Sequence, residues 1–87
     1  MIRTTFIKND TQKKRLVFVE PEARDFWLLP GEEVELRAEV DSAEANFEFS
    51  VTDDGLRVFP LRGMDSISVY CGGVELELGY HRPDDYV

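Results

Sequence analysis

Leu16-Val17-Phe18-Val19-Glu20-Pro21-Glu22-Ala23-Arg24-Asp25-Phe26-Trp27-Leu28-Leu29-Pro30-Gly31-Glu32-Glu33-Val34-Glu35-Leu36-Arg37-Ala38-Glu39-Val40 is the stretch whose reading decides the fold. Its last eight residues alternate strictly. Val34, Leu36, Ala38 and Val40 face one way, and Glu33, Glu35, Arg37 and Glu39 the other. A period of two predicts a half-buried antiparallel strand with an acidic outer face. A helix would scatter the four apolar residues around its circumference.

Upstream, Leu16-Val17-Phe18-Val19 is continuously apolar, which fits a central strand covered on both faces or one twisting through the core. Pro21 removes a ladder donor and ends regular pairing. The segment 21–25 reads either as extended chain or as the start of a short helix, with proline in the first turn and acids beside it. Phe26-Trp27-Leu28-Leu29 is cut off by Pro30-Gly31 and reads as a buried strand.

Outward from this stretch the same grammar continues. Thr4-Thr5-Phe6-Ile7 reads as a first strand, and Asn9-Asp10-Thr11-Gln12 as a turn leading to the basic loop tip Lys13-Lys14-Arg15. Residues 41–46 read either as a turn or as one helical turn. Phe47, Phe49 and Val51 alternate with polar residues before Asp54-Gly55, a two-residue hairpin signal. That loop would set Asp53 opposite Leu56 and Val51 opposite Val58, with both valines in the core. Pro60 marks an edge or a bend. A second hairpin at Gly72-Gly73 would set Cys71 opposite Val74, Val69 opposite Leu76 and Ile67 opposite Leu78, all on one apolar face. The tail from His81 to Val87 is polar and reads as loosely held. Seven to eight short strands with turns every eight to twelve residues predict an all-β domain spanning 1–87, a small antiparallel sandwich or barrel.

Composition bounds the function. At 87 residues the chain is one domain with a thin core. It has no long apolar run and no apolar leader block, so neither a membrane span nor a signal peptide is expected, and a cytoplasmic location follows. The single cysteine, Cys71, fits a reducing compartment and reads as an inert core thiol. Net charge is −8, unevenly spread: residues 1–15 carry +4 and the remainder −12. Most of the surface would repel nucleic acid, so the expected partner is a protein, either basic or a second copy of the chain.

No catalytic pattern stands out. His81 is the only histidine and lies in the tail, poorly placed as a base for serine or cysteine chemistry. The acid pairs Glu32-Glu33, Asp53-Asp54 and Asp84-Asp85 lack the spacing of a calcium loop. Most of the six phenylalanines fall on inward positions, which reads as core rather than as a stacking platform for single-stranded nucleic acid.

The strand spacing and the Leu29-Pro30-Gly31-Glu32 turn resemble the cupredoxin architecture. Copper there takes two histidines and a cysteine, usually with a weak methionine. This chain offers only His81, Cys71 and Met64, so no metal or cofactor is expected. The run from Val17 through Glu22 to Glu32 also looks like a pattern in small bacterial all-β proteins without an assigned activity, and it implies a stand-alone β domain.

The expectation is therefore a non-enzymatic binding or accessory module. It would act through a strand edge or its acidic face, much as immunity-type proteins neutralise a basic partner. The alternative is a homo-oligomeric structural subunit. The residues expected at the interface are Trp27, Glu33, Glu35, Glu39, Tyr70, Glu75 and Glu77.

Overall fold

The computed structural model describes residues 1–21, 24–61 and 63–76. Among them the ordered elements are all strands: β1 (Ile2–Lys8), β2 (Arg15–Val19), β3 (Arg24–Leu28), β4 (Glu33–Glu39), β5 (Phe47–Val51), β6 (Leu56–Pro60), β7 (Ser68–Cys71) and β8 (Val74–Glu75). They form two four-stranded sheets, β1-β4-β7-β8 and β3-β2-β6-β5, not a closed barrel. The short-helix alternative for 21–25 gives way to strand from Arg24 onward, with Phe26 and Leu28 buried. Glu22 and Ala23 lie outside the described residues.

β4 is the strand its alternation predicts: Val34, Leu36, Ala38 and, just past its end, Val40 are all buried. It pairs antiparallel with β1 on one side and β7 on the other. Val17, Val19, Phe26, Leu28, Phe47 and Val58 from one sheet join Val34, Leu36, Ala38 and Val69 from the other in a single buried cluster.

Two joints tie the sheets together. Pro30-Gly31 makes a type II turn: Glu32 N–H donates to the Leu29 carbonyl at 3.0 Å, and Gly31 takes the positive φ of 76° that this turn needs. Asn9 is the second joint and the only buried polar residue among those described. Its Nδ2 donates to the carbonyls of Lys13 (2.8 Å) and Leu28 (2.9 Å), and its Oδ1 accepts from Thr11 N–H at 2.9 Å.

Not every pair is antiparallel. β2 and β6 run parallel, Val17 opposite Leu56 and Val19 opposite Val58. The chain leaves β3 for the other sheet as β4 and returns as the β5–β6 hairpin, whose second strand lies against β2. Gly55 permits this approach: a Cβ there would stand 2.1 Å from the Leu16 carbonyl oxygen. Arg57 then lies across Phe18 and bridges to Glu20 at 2.6 Å. Pro60 closes β6 at its end, opposite Phe47.

The first hairpin also differs in register. Val51 pairs with Leu56 and Phe49 with Val58, so the loop is the four residues 52–55. Thr52 and Gly55 exchange backbone bonds across it, and the Thr52 hydroxyl bonds the Gly55 carbonyl at 3.1 Å. The shift is two residues, so the faces are kept, but β5 is an edge strand and only Phe47, at its start, is buried. Phe49 is 43% and Val51 85% exposed, contrary to their expected core places.

At the second hairpin, Cys71 pairs with Val74 and Tyr70 with Glu75, as the Gly72-Gly73 signal requires. Leu76 N–H donates to the Val69 carbonyl at 2.8 Å. Val74 is nevertheless exposed, because β8 is two residues long and lies at the sheet edge. Leu78 lies outside the described residues.

Candidate functional site

The outer face of the β1-β4-β7-β8 sheet brings five of the seven expected interface residues together. Antiparallel pairing in register builds a row across all four strands: Phe6 (β1), Glu35 (β4), Tyr70 (β7), Glu75 (β8). The next row is Thr4, Arg37, Ser68, and the one after it Ile2, Glu39. Glu33 stands opposite Lys8 on the same face. Glu77 lies outside the described residues, as do His81 and Asp84-Asp85.

Arg37 sits at the centre. Its Nε lies 3.0 Å from Glu35 Oε2, its Nη2 donates to Glu35 Oε1 at 3.1 Å, and its guanidinium carbon lies 3.9 Å from the Tyr70 ring centroid. The hydrogen bond to Glu35 holds Arg37 protonated above the ordinary guanidinium range. Desolvation works against this, and the Glu35 charge and Tyr70 add to it. A hollow of about 450 Å³ opens beside it, bordered by Ile2, Arg37, Glu39, Asp65, Ser68 and Tyr70. The face is thus less acidic than its glutamates suggest: Arg37 answers Glu35, and Lys8 stands opposite Glu33.

What the sequence reading missed on this face is its apolar rim. Ile2 and Phe6 are 60% and 59% exposed and point outward from β1. Among the described residues, β1 is the end strand of its sheet, with a strand on one side only. The signal was present in the alternation of Ile2, Thr4 and Phe6 with Arg3, Thr5 and Ile7. Both sets carry apolar residues, however, so only the pairing with β4 decides which set faces out.

Trp27 is on the other sheet. It is half-buried, pointing outward between buried Phe26 and Leu28, so it is not a core residue. Lys14 Nζ lies over its ring, 4.3 Å from the centroid. Leu16, Phe18 and Phe59 share that outer face, also half-buried. With Phe6 and Phe49 exposed, only Phe26 and Phe47 of the six phenylalanines are buried. The basic loop is therefore more than a solvated tip: Lys14 covers tryptophan, and Arg15 Nε donates to the Thr11 hydroxyl at 3.2 Å.

A second hollow, about 350 Å³, opens at the mouth between the sheets, against Ile7, Leu16, Trp27, Val51 and Leu56. Lys8, Lys14 and Arg15 share its border with Asp10, Asp53 and Asp54, so its charge favours neither sign of ligand. Cys71 is half-buried rather than enclosed, with its thiol 3.4 Å from Glu32 Oε2. Among the described residues no group of three or more His, Cys, Asp or Glu side chains is placed to hold a metal ion. No helix among them is long and apolar enough to cross a membrane.

Compared with protein-family models, curated proteins and solved structures, the chain matches none.

Proposed function

We propose that this chain is a non-enzymatic binding module, and that it takes its partner along β1 and the adjoining outer face of the same sheet. The two sheets stack as a small open sandwich, which leaves the end strands β1 and β8 of one sheet and β3 and β5 of the other as edges. The observation that carries the reading is the pairing of an open edge with an apolar row. β1 offers its backbone to another strand, and Ile2 and Phe6 stand exposed beside that edge, flanked by Glu35 and Glu39. Edge strands with such rows are templates for strand addition, in which main-chain hydrogen bonds give affinity and alternate side chains give specificity.

The other outward aromatics make weaker anchors. Trp27 and Phe18 are roofed by Lys14 and Arg57, and Tyr70 by Arg37. Among the described residues, Ile2 and Phe6 carry no such roof. The fitting partner is an extended protein segment with apolar side chains set beside β1 and polar or basic ones toward the glutamates of β4.

The test is capture from native lysate at low and high salt, with wild type and Phe6→Lys side by side. A stoichiometric protein held by wild type and lost by Phe6→Lys supports the reading. Retention unchanged by Phe6→Lys overturns it.

A further inference from the structure

Resting on that reading, we infer that the partner which fits β1 best is a second copy of β1, paired antiparallel about a two-fold axis through Thr4.

The argument is self-complementarity. Only Ile2, Thr4 and Phe6 of β1 face outward ahead of Lys8, and they are spaced evenly about Thr4. A two-fold at Thr4 sets Ile2 opposite Phe6 of the second copy, Phe6 opposite its Ile2, and Thr4 opposite Thr4. The two most exposed apolar strand residues of this face then cover one another, and a Thr–Thr pair is itself a favourable cross-strand neighbour. Moving the axis to Thr5 would set Ile2 opposite Lys8 and Phe6 opposite Thr4, leaving both apolar groups without an apolar mate.

Charge permits the same arrangement despite the net −8 of each chain. β1 contains no acidic residue, and in the Thr4 register Arg3 faces Thr5, not another cation. Because Glu35 is opposite Phe6 and Glu39 opposite Ile2 within one copy, the row across the junction reads Glu35, Phe6, then Ile2 and Glu39 of the second copy. The two carboxylates are three strand spacings apart, about 14 Å. That exceeds the Debye length of about 8 Å at physiological ionic strength, so their repulsion is largely screened. The apolar pair lies at the centre and the charges at the rim, the layout of a protein interface. The contact is isologous and closes on itself, joining two four-stranded sheets into one of eight.

Sedimentation equilibrium across the micromolar range tests this with wild type, Ile2→Glu, Phe6→Lys and the double variant Ile2→Glu/Phe6→Lys. Both substitutions are on exposed side chains, and circular dichroism checks that each variant folds. Wild type should be a dimer. Each single change should raise its dissociation constant at least about tenfold. The double variant should recover dimerisation, because the new Glu and Lys face each other across the two-fold, and salt should weaken it. Val51→Lys, on the edge strand β5 of the other sheet, should leave the dimer intact. Three results overturn the inference: a wild-type monomer throughout, a dimer indifferent to the single changes, or no recovery in the double variant. A monomeric chain whose lysate partner is still lost in Phe6→Lys overturns the two-fold alone. A monomeric chain whose partner is indifferent to Phe6→Lys overturns the edge reading with it.

Discussion

The guanidinium carbon of Arg37 lies over the ring of Tyr70, 3.9 Å from its centroid, while the group holds both carboxylate oxygens of Glu35. One cation thus joins β4 to β7 on the face where the sequence places mostly acid. Arg37→Ala should lower the thermal midpoint by less than Leu36→Ala, whose side chain is buried on the opposite side of the same strand. Arg37→Lys should not restore it fully, because an ammonium cannot span both oxygens and stack.

The pH dependence follows from the sign of the Arg37 shift. Its proton is held more tightly in the folded chain, so its contribution is complete below the ordinary guanidinium range and is lost only as pH rises through the higher folded value. The difference in thermal midpoint between wild type and Arg37→Gln should therefore stay constant from neutral to moderately alkaline pH. Thermal scans across that range would show any drift.

Asn9→Ala should destabilise by about 2 kcal/mol or more, since it strips the buried Leu28 carbonyl of its donor and leaves the joint between the sheets unfilled. Asn9→Asp should cost at least as much, because it removes both donors and turns a carboxylate toward two carbonyls. Urea denaturation measures both.

Gly31 and Gly55 separate two kinds of glycine requirement. Gly31→Ala meets open space and should cost only its left-handed conformation, about 1 kcal/mol. Gly55→Ala drives a Cβ into the Leu16 carbonyl and should cost clearly more, because β2 and β6 must part. The ranking from parallel denaturation curves checks the parallel pairing itself.

Phe26 and Trp27 are neighbours with opposite fates. Phe26→Ala should cost about 3–5 kcal/mol as a core deletion. Trp27→Ala, half-exposed beneath Lys14, should cost about 1–2 kcal/mol. Equal losses would place Trp27 in the core after all.

These contrasts show where the fold was legible and where it was not. β4 could be read because one face is buried and its neighbours are polar, so the period alone orients it. The Gly72-Gly73 hairpin could be read because turn chemistry and apolar pattern select one register. Trp27 could not: in a run of four apolar residues, parity is set by which neighbour the corner at Pro21 brings inward. The β2–β6 pair could not, because a parallel contact between strands distant in sequence leaves no local signal beyond one glycine. Phe49 and Val51 alternate as core residues do, and only the sheet order places them on an uncovered edge. Of the candidate site, the glutamates and Tyr70 were visible from their outward phase. Ile2 and Phe6 were not, because their phase depends on the partner strand.

The most direct measurement is amide hydrogen exchange, resolved by strand, on the dilute chain and on the assembled species, whether dimer or partner complex. The account predicts that β1 amides slow on assembly while those of β5 do not. Slowing at β5, or none at β1, would contradict it.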